Sequence, residues 1–181
     1  MSDADVLGRL RAGEQDAYES IFRTYYAQLV AAAEYMVRDR AEAEDVVQDV
    51  MVELWRRREN IEVATSLKAY LYRAVRNRAL NQLRHQKVAP RAEPEAADRI
   101  AGSPADRDFE TREINMAVRK AVAGLPDRCR EVFELSRIQG LSYGEIAKVM
   151  EISIKTVEAQ MGKALRVLRE ELASYLPQAD L

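Results

Sequence analysis

The stretch GLSYGEIAKVMEISIKTVEAQMGKALRVLREEL, residues 140–172, reads as two helices joined by a tight turn. Ser142 with Glu145 three residues on forms a capping box, in which each side chain satisfies a backbone N–H that a helix start leaves open. The spacing predicts a first helix over 143–150, with Ile146, Ala147 and Met150 turned toward a core. Glu151 and Ile152 make a short connection, and Ser153 is a second N-cap for a helix that starts at Ile154. Ile154, Val157, Met161, Ala164, Leu165, Leu168 and Leu172 fall on one side of that helix. Lys155, Glu158, Ala159, Gly162, Lys163, Arg166 and Arg169 fall on the other. This is the pattern of a helix-turn-helix, whose second helix enters a DNA major groove. The groove asks for long donors to base edges, cations for phosphates and small residues at the closest approach. The same pattern also suits an ordinary helical hairpin with a solvated outer face.

Working outward, the chain of 181 residues has the length of one or two small domains, and 48% hydrophobic with 32% charged residues marks a globular protein. Glycine and proline are sparse and strand-like alternation is absent, so the fold class expected is all-α. No apolar run is long enough to cross a bilayer, and the start MSDADVLGRLRAGEQ has no signal-peptide pattern. Cys129 is the one cysteine, which excludes an intramolecular disulfide and suits a reducing cytoplasm, the expected location. With His85 the one histidine, the usual zinc ligands are too few, and neither metal nor cofactor is expected. No nucleophile–base pair or phosphate-binding glycine loop points to an enzyme.

The net charge of −2 hides two opposed patches. Between residues 39 and 53, Asp39, Glu42, Glu44, Asp45, Asp49 and Glu53 face Arg40 alone. Between residues 63 and 92 there is no acid, but seven cations: Lys68, Arg73, Arg76, Arg78, Arg84, Lys87 and Arg91. Two patches of opposite sign point to two kinds of partner. In chain order, a short helix is expected over 5–12 and a long one over 16–37, with Phe22, Tyr25, Tyr26, Leu29, Val30 and Ala33 on its core side. A helix over 42–58 turns Val46, Val47, Val50 and Leu54 inward. Its other face, Asp45, Gln48, Asp49, Val52 and Arg56, suits a surface that a partner reads. A polar loop follows over 60–66, and Ser66 caps a helix over 67–86. On that helix Leu67, Leu71, Val75, Ala79 and Leu83 oppose Tyr70, Arg73, Asn77, Asn81 and Arg84. Aromatic rings stack on bases, amides bond base edges and guanidinium groups neutralise phosphates, so this face points to nucleic acid. Residues 89–108 hold Pro90, Pro94 and Pro104 and read as a flexible linker between domains over 1–88 and 109–181. Beyond it, helices are expected over 108–123 and 127–138, the second capped by Asp127, with Cys129 a packing residue.

The chain now resembles the extracytoplasmic-function sigma factors of bacterial RNA polymerase. The likeness rests on AEDVVQDVMVELW (43–55), SLKAYLYRAVRNRALNQLR (66–84) and LPDRCREVFELSRIQGLSYGEIAKVMEISIKTVEAQMGKALRVLR (125–169), in that order around a proline-bearing linker. It implies that Asp45, Gln48, Asp49, Val52 and Arg56 dock on the clamp helices of core RNA polymerase. It implies that Asn60, Ser66, Lys68, Tyr70, Arg73, Asn77, Asn81 and Arg84 melt and read the minus-ten element of promoter DNA, holding a flipped non-template base. The helix-turn-helix, through Ser153, Lys155, Thr156, Glu158, Ala159, Gln160, Lys163 and Arg166, is implied to read the minus-thirty-five element as duplex. Glu158 and Gln160 depart from the basic residues or histidine that many relatives carry there. The wording CREVFELSR and KTVEAQMGKAL is most similar to the Bacteroidetes-type branch, whose members often answer to a membrane-bound anti-sigma factor and switch on outer-membrane uptake genes. A monomer when free is expected. The competing readings are a DNA-binding regulator that works without polymerase, an enzyme, and an adaptor that docks on polymerase but reads no DNA. The acidic face over 45–49 argues against the first, and the acid-free basic helix against the last.

Overall fold

The structure is a computed structural model that describes residues 2–86, 109–173 and 175. Among these residues every regular element is a helix, and the chain divides into two compact units. The expected linker over 89–108 lies outside the described residues.

The first unit is built from four helices, α1 (Asp3–Arg11), α2 (Gln15–Val37), α3 (Arg40–Arg56) and α4 (Leu67–Gln86). Helix α1 begins two residues earlier than its apolar spacing predicts, because Ser2 and Asp5 form a capping box: Ser2 Oγ accepts from the Asp5 N–H and the Asp5 carboxylate from the Ser2 N–H. Leu7 and Leu10 bury its inner side. Helix α2 buries Ala17, Ile21, Leu29, Val30, Ala33 and Val37. Its aromatic residues Phe22, Tyr25 and Tyr26, expected in the core, are half-buried at the rim instead. There Phe22 stacks on Tyr26 with ring centroids 4.4 Å apart, and Tyr18 meets Trp55 edge-on at 5.4 Å.

Arg38 takes a left-handed conformation (φ 60°) to end α2, and Asp39 starts α3 by accepting from the Glu42 N–H at 2.9 Å. The expected start at residue 42 therefore falls two residues late. Helix α3 also ends two residues short of 58, where a tight turn of three residues, Arg58–Asn60, takes over. Val46, Val47, Val50 and Leu54 are buried as expected, joined by Ala43 and Met51. Ser66 caps α4, its Oγ accepting from the Ala69 N–H at 3.1 Å. Leu67, Leu71, Val75 and Ala79 face inward, while Leu83, near the end, is only half-buried. Tyr72 is buried as well, and the loss of solvent, with Tyr25 close by, raises its phenol well above the ordinary value.

The second unit contains α5 (Phe109–Ala123), α6 (Asp127–Phe133), α7 (Tyr143–Met150) and α8 (Ile154–Glu171). Ala121, Leu125, Cys129, Ala164 and Leu168 form its buried cluster, flanked by Val122, Phe133, Val167 and Leu172. Cys129 is a packing residue here, with its S–H donating to Gln160 Oε1 at 2.9 Å. Asp127 does not cap α6. It is the first helical residue, preceded by Pro126, and its carboxylate accepts from Arg130 at 2.7 Å. The helix expected over 127–138 widens after Phe133 into a π-helical turn, Glu134–Ile138.

Helix α7 has the bounds and α8 the start that the capping pattern predicts, with the Ser142–Glu145 box formed and Ser153 Oγ accepting from the Thr156 N–H at 3.1 Å. Between them Glu151 sits in the left-handed region (φ 56°), and the Ile152 N–H closes on the Ala147 carbonyl at 3.0 Å. Val157, Met161, Ala164 and Leu168 are buried, but Ile154 and Leu165 are exposed, against expectation. At ~100° per residue those two lie ~50–70° from the centre of the buried stripe, and the partner surface does not extend that far around.

Glu134 in the π turn is half-buried, and burial pushes its carboxyl up to about 7, against the pull of Arg130 and with the help of Glu131. The folded state therefore favours the neutral acid. That contribution is full below the ordinary value of 4.5 and is lost as the pH rises through about 7. Glu134→Gln is expected to stabilise the protein by on the order of 2–3 kcal/mol at pH 8 and to change little at pH 5. Thermal unfolding of both proteins at the two pH values checks this.

Candidate nucleic-acid interface

Burying Leu67, Leu71, Val75 and Ala79 fixes the rotation of α4, so Arg73, Asn77, Asn81 and Arg84 are all exposed on its other side. Tyr70, on the same face one turn before Arg73, is half-buried, as is Lys68, which two residues earlier lies on a different side of the helix. Arg84 donates to Asn81 Oδ1 at 3.2 Å, which holds that amide and that guanidinium together. The other two expected residues bracket the loop that leads into the helix. Asn60 is exposed at the end of the tight turn, and Ser66 is half-buried with its hydroxyl engaged in capping. The structure thus brings one aromatic ring, two amides and two guanidinium groups onto one helix face. Asn60 and Ser66 stand at the ends of the preceding loop.

On α3, Asp45, Gln48, Asp49, Val52 and Arg56 are all exposed, and Val52 is an apolar spot within a polar surface. The acidic and basic patches meet along one edge. Asp49 forms an ion pair with Arg78 of α4, and Gln82 Nε2 donates to Glu42 Oε2 at 3.4 Å. Arg78 enters the sequence reading only as one cation of the basic patch, not as a partner of Asp49, and Gln82 does not enter it. Their signal was present: Glu42 and Asp49 are two turns apart on α3, and Arg78 and Gln82 one turn apart on α4.

On α8, Lys155, Glu158, Ala159, Lys163 and Arg166 are exposed with Gly162 and Arg169. A side chain added at Gly162 would meet nothing within 4 Å, so the backbone there is open to close approach. Ser153 and Thr156 are tied to each other at the helix start, with their hydroxyl oxygens 2.8 Å apart. Gln160 differs from the rest of this set. It is half-buried and turned toward Cys129, which places its amide at the flank of the outer face. Among the described residues no cluster of His, Cys, Asp and Glu has the makings of a metal site, and no helix is long and apolar enough to cross a membrane.

Comparison with known proteins follows the same division. Residues 21–88 match the family Sigma-70 region 2, and residues 115–168 match Sigma-70, region 4. The RNA polymerase sigma factor CarQ of Myxococcus xanthus is 30% identical over 91% of this chain and 94% of its own length. The ECF RNA polymerase sigma factor SigM of Mycobacterium tuberculosis is 29% identical over 97% of this chain and 86% of its own. Among solved structures, the sigma factor RpoE of Bartonella quintana, in complex with the anti-sigma factor NepR, is similar with a TM-score of 0.68. It is 23% identical and covers 86% of this chain and 96% of its own. CnrH, in complex with the cytosolic domain of CnrY, is similar with a TM-score of 0.65, 23% identity and coverage of 95% and 97%. The likeness to these structures is one of fold. The match to both sigma regions in order, carried by sequence likeness over nearly the full length, makes this chain a member of the extracytoplasmic-function sigma factors, which direct transcription initiation.

Proposed function

We propose that the chain binds core RNA polymerase through α3, reads the minus-ten element as melted single strand through α4 and the loop before it, and reads the minus-thirty-five element as duplex through α8. The observation that carries this is the outward face of α4, where Tyr70, Arg73, Asn77, Asn81 and Arg84 stand on a helix without an acid. Duplex recognition alone has no use for an aromatic ring there, whereas a flipped base has. Unpairing and flipping one base costs a few kcal/mol. Stacking on a ring returns ~1–3 kcal/mol, and amide contacts in a closed pocket supply the rest. The exposed cations of α8, with Ala159 and Gly162 at the closest approach, suit a helix lying in a major groove.

The partners proposed are thus core RNA polymerase and promoter DNA, with an anti-sigma factor as a third. The anti-sigma proposal draws on RpoE and CnrH, which were solved with the anti-sigma factor NepR and with a cytosolic domain of CnrY. That the anti-sigma factor is membrane-bound, and that the chain stands in the Bacteroidetes-type branch, is supported by the sequence wording over 129–137 and 155–165. The free protein is a monomer on this reading, and it works in the cytoplasm.

For docking, Asp45→Arg should weaken binding to core polymerase by roughly tenfold or more, with little change in stability, since the residue is exposed. Asp49→Arg should do the same but also lose the Arg78 pair, so Asp45→Arg is the cleaner test. Unchanged affinity in both variants, measured by titration of core enzyme, contradicts the assignment. For melting, Asn77→Ala should leave core binding normal and slow promoter opening about tenfold, the worth of an amide contact of ~1–3 kcal/mol. Permanganate reactivity of unpaired thymines reads the rate. On a promoter pre-melted by mismatches the defect should shrink without vanishing, because the mismatch removes the unpairing cost and not the readout. Opening of duplex promoters at the wild-type rate contradicts the placement of Asn77 in the pocket.

A further inference from the structure

Helix α1 makes two polar bonds that its own stability does not require. Asp3 Oδ2, in its first turn, accepts from the Leu67 N–H at 2.8 Å, across 64 residues of sequence. Arg11 Nη2, in its last turn, donates to the Ile61 carbonyl at 2.7 Å, across 50 residues. Both bonds are partly buried. They fall at the two ends of the loop over 61–66, which joins the tight turn Arg58–Asn60 to α4. The Leu67 N–H is one of the donors that a helix start leaves without an intrahelical partner. Ser66 satisfies the Ala69 N–H, and Asp3 supplies the acceptor for Leu67 from outside the segment.

The side chains at both ends are fixed as well, since Ile61 is 4% and Leu67 1% exposed. Burial fixes the position of each end, and the backbone bonds fix the orientation of its peptide planes. Between the ends the geometry leaves slack. Asp3 and Arg11 lie ~12 Å apart along α1, whereas the loop can reach ~20 Å when extended. The surplus length goes into the middle, where Glu62, Ala64 and Thr65 are exposed and Val63 is half-buried. Helix α1 is itself held by Leu7 and Leu10, 6% and 0% exposed, so it is a firm base for both bonds.

We infer that α1 is a splint for the DNA-reading surface: Asp3 and Arg11 are positioning residues that hold the two ends of the loop over 61–66, so that its exposed middle closes over the base flipped against α4. The inference rests on the reading of α4 given above. A loop pinned at both ends loses less freedom when its middle closes than one whose ends are also free, so the splint lowers the ordering cost of melting rather than adding a contact to DNA.

The test uses the full-length chain and four substitutions. Asp3→Ala and Arg11→Ala remove the bonds, and Asp3→Asn and Arg11→Lys retain an acceptor and a donor. In the free protein, hydrogen exchange at residues 62–67 should speed up roughly fivefold to tenfold in each alanine variant, as for loss of a cap, with α3 unchanged. With core polymerase bound at wild-type affinity, promoter opening should slow by a similar factor, and the conservative variants should recover most of it. Faster exchange throughout α1 and the unit core, with opening lost in proportion, would mean only general destabilisation and overturns the splint. Wild-type opening in both alanine variants while Asn77→Ala opens slowly also overturns it, and leaves the reading of α4 standing. Wild-type opening in Asn77→Ala as well overturns the reading of α4, and with it the splint's role in melting.

Discussion

The interaction on which the first unit depends is the apolar seam along α4. Leu67, Leu71, Val75 and Ala79 are each at most 2% exposed, and Tyr72 is buried beside them. A buried leucine or valine contributes roughly 1.5–3 kcal/mol relative to leaving it in water. Turning the helix by one residue would bring charged groups into that seam, so α4 has one rotational setting. Every direction on its far side follows from it. Arg73, Asn77, Asn81 and Arg84 are presented to solvent, with Tyr70 half-buried on the same face, because leucine, valine and alanine stand opposite them. The same logic governs α8, where Val157, Met161, Ala164 and Leu168 set the outward face.

A second consequence concerns charge. The chain is close to neutral, yet its acids and bases are sorted onto neighbouring helices. Where α3 and α4 meet, Asp49 pairs with Arg78 and Gln82 reaches Glu42. The Asp49–Arg78 pair is more than half exposed on each side, so it contributes at most about 1 kcal/mol. It marks an edge shared by the two surfaces rather than a structural weld. Sigma factors are transcription regulators rather than enzymes, and on the function proposed above this one meets an acidic nucleic acid and a large protein from the same small unit. Segregated faces with a common edge meet that demand without a large net charge.

Much of this was legible in the sequence, because helices announce themselves locally. The Ser142–Glu145 box and Ser153 set the starts of α7 and α8, and the period of the apolar residues separated the two faces of α3 and α4. The misses have specific causes. Ser2 caps α1, so the helix starts earlier than its apolar residues suggest. Asp127 looked like a cap, but Pro126 precedes it and its carboxylate turns to Arg130. The π turn at Glu134 leaves no mark in a 3.6-residue pattern. Ile154 and Leu165 are apolar yet exposed, since periodicity gives the direction of a stripe and not its width. Tyr72 and Gln160 turn inward through contacts with other elements, and the bonds from Asp3 and Arg11 join residues 50 or more positions apart. No local pattern encodes such pairings.

The central claim is that the far side of α4 holds a single unpaired base of the non-template strand. A photoreactive amino acid in place of Asn77, in protein assembled with core polymerase on a promoter, tests it most directly. The account predicts a crosslink to one non-template base of the minus-ten element, formed when the promoter opens and absent from the closed complex. A crosslink to the template strand, to duplex of the closed complex, or to polymerase alone would contradict it.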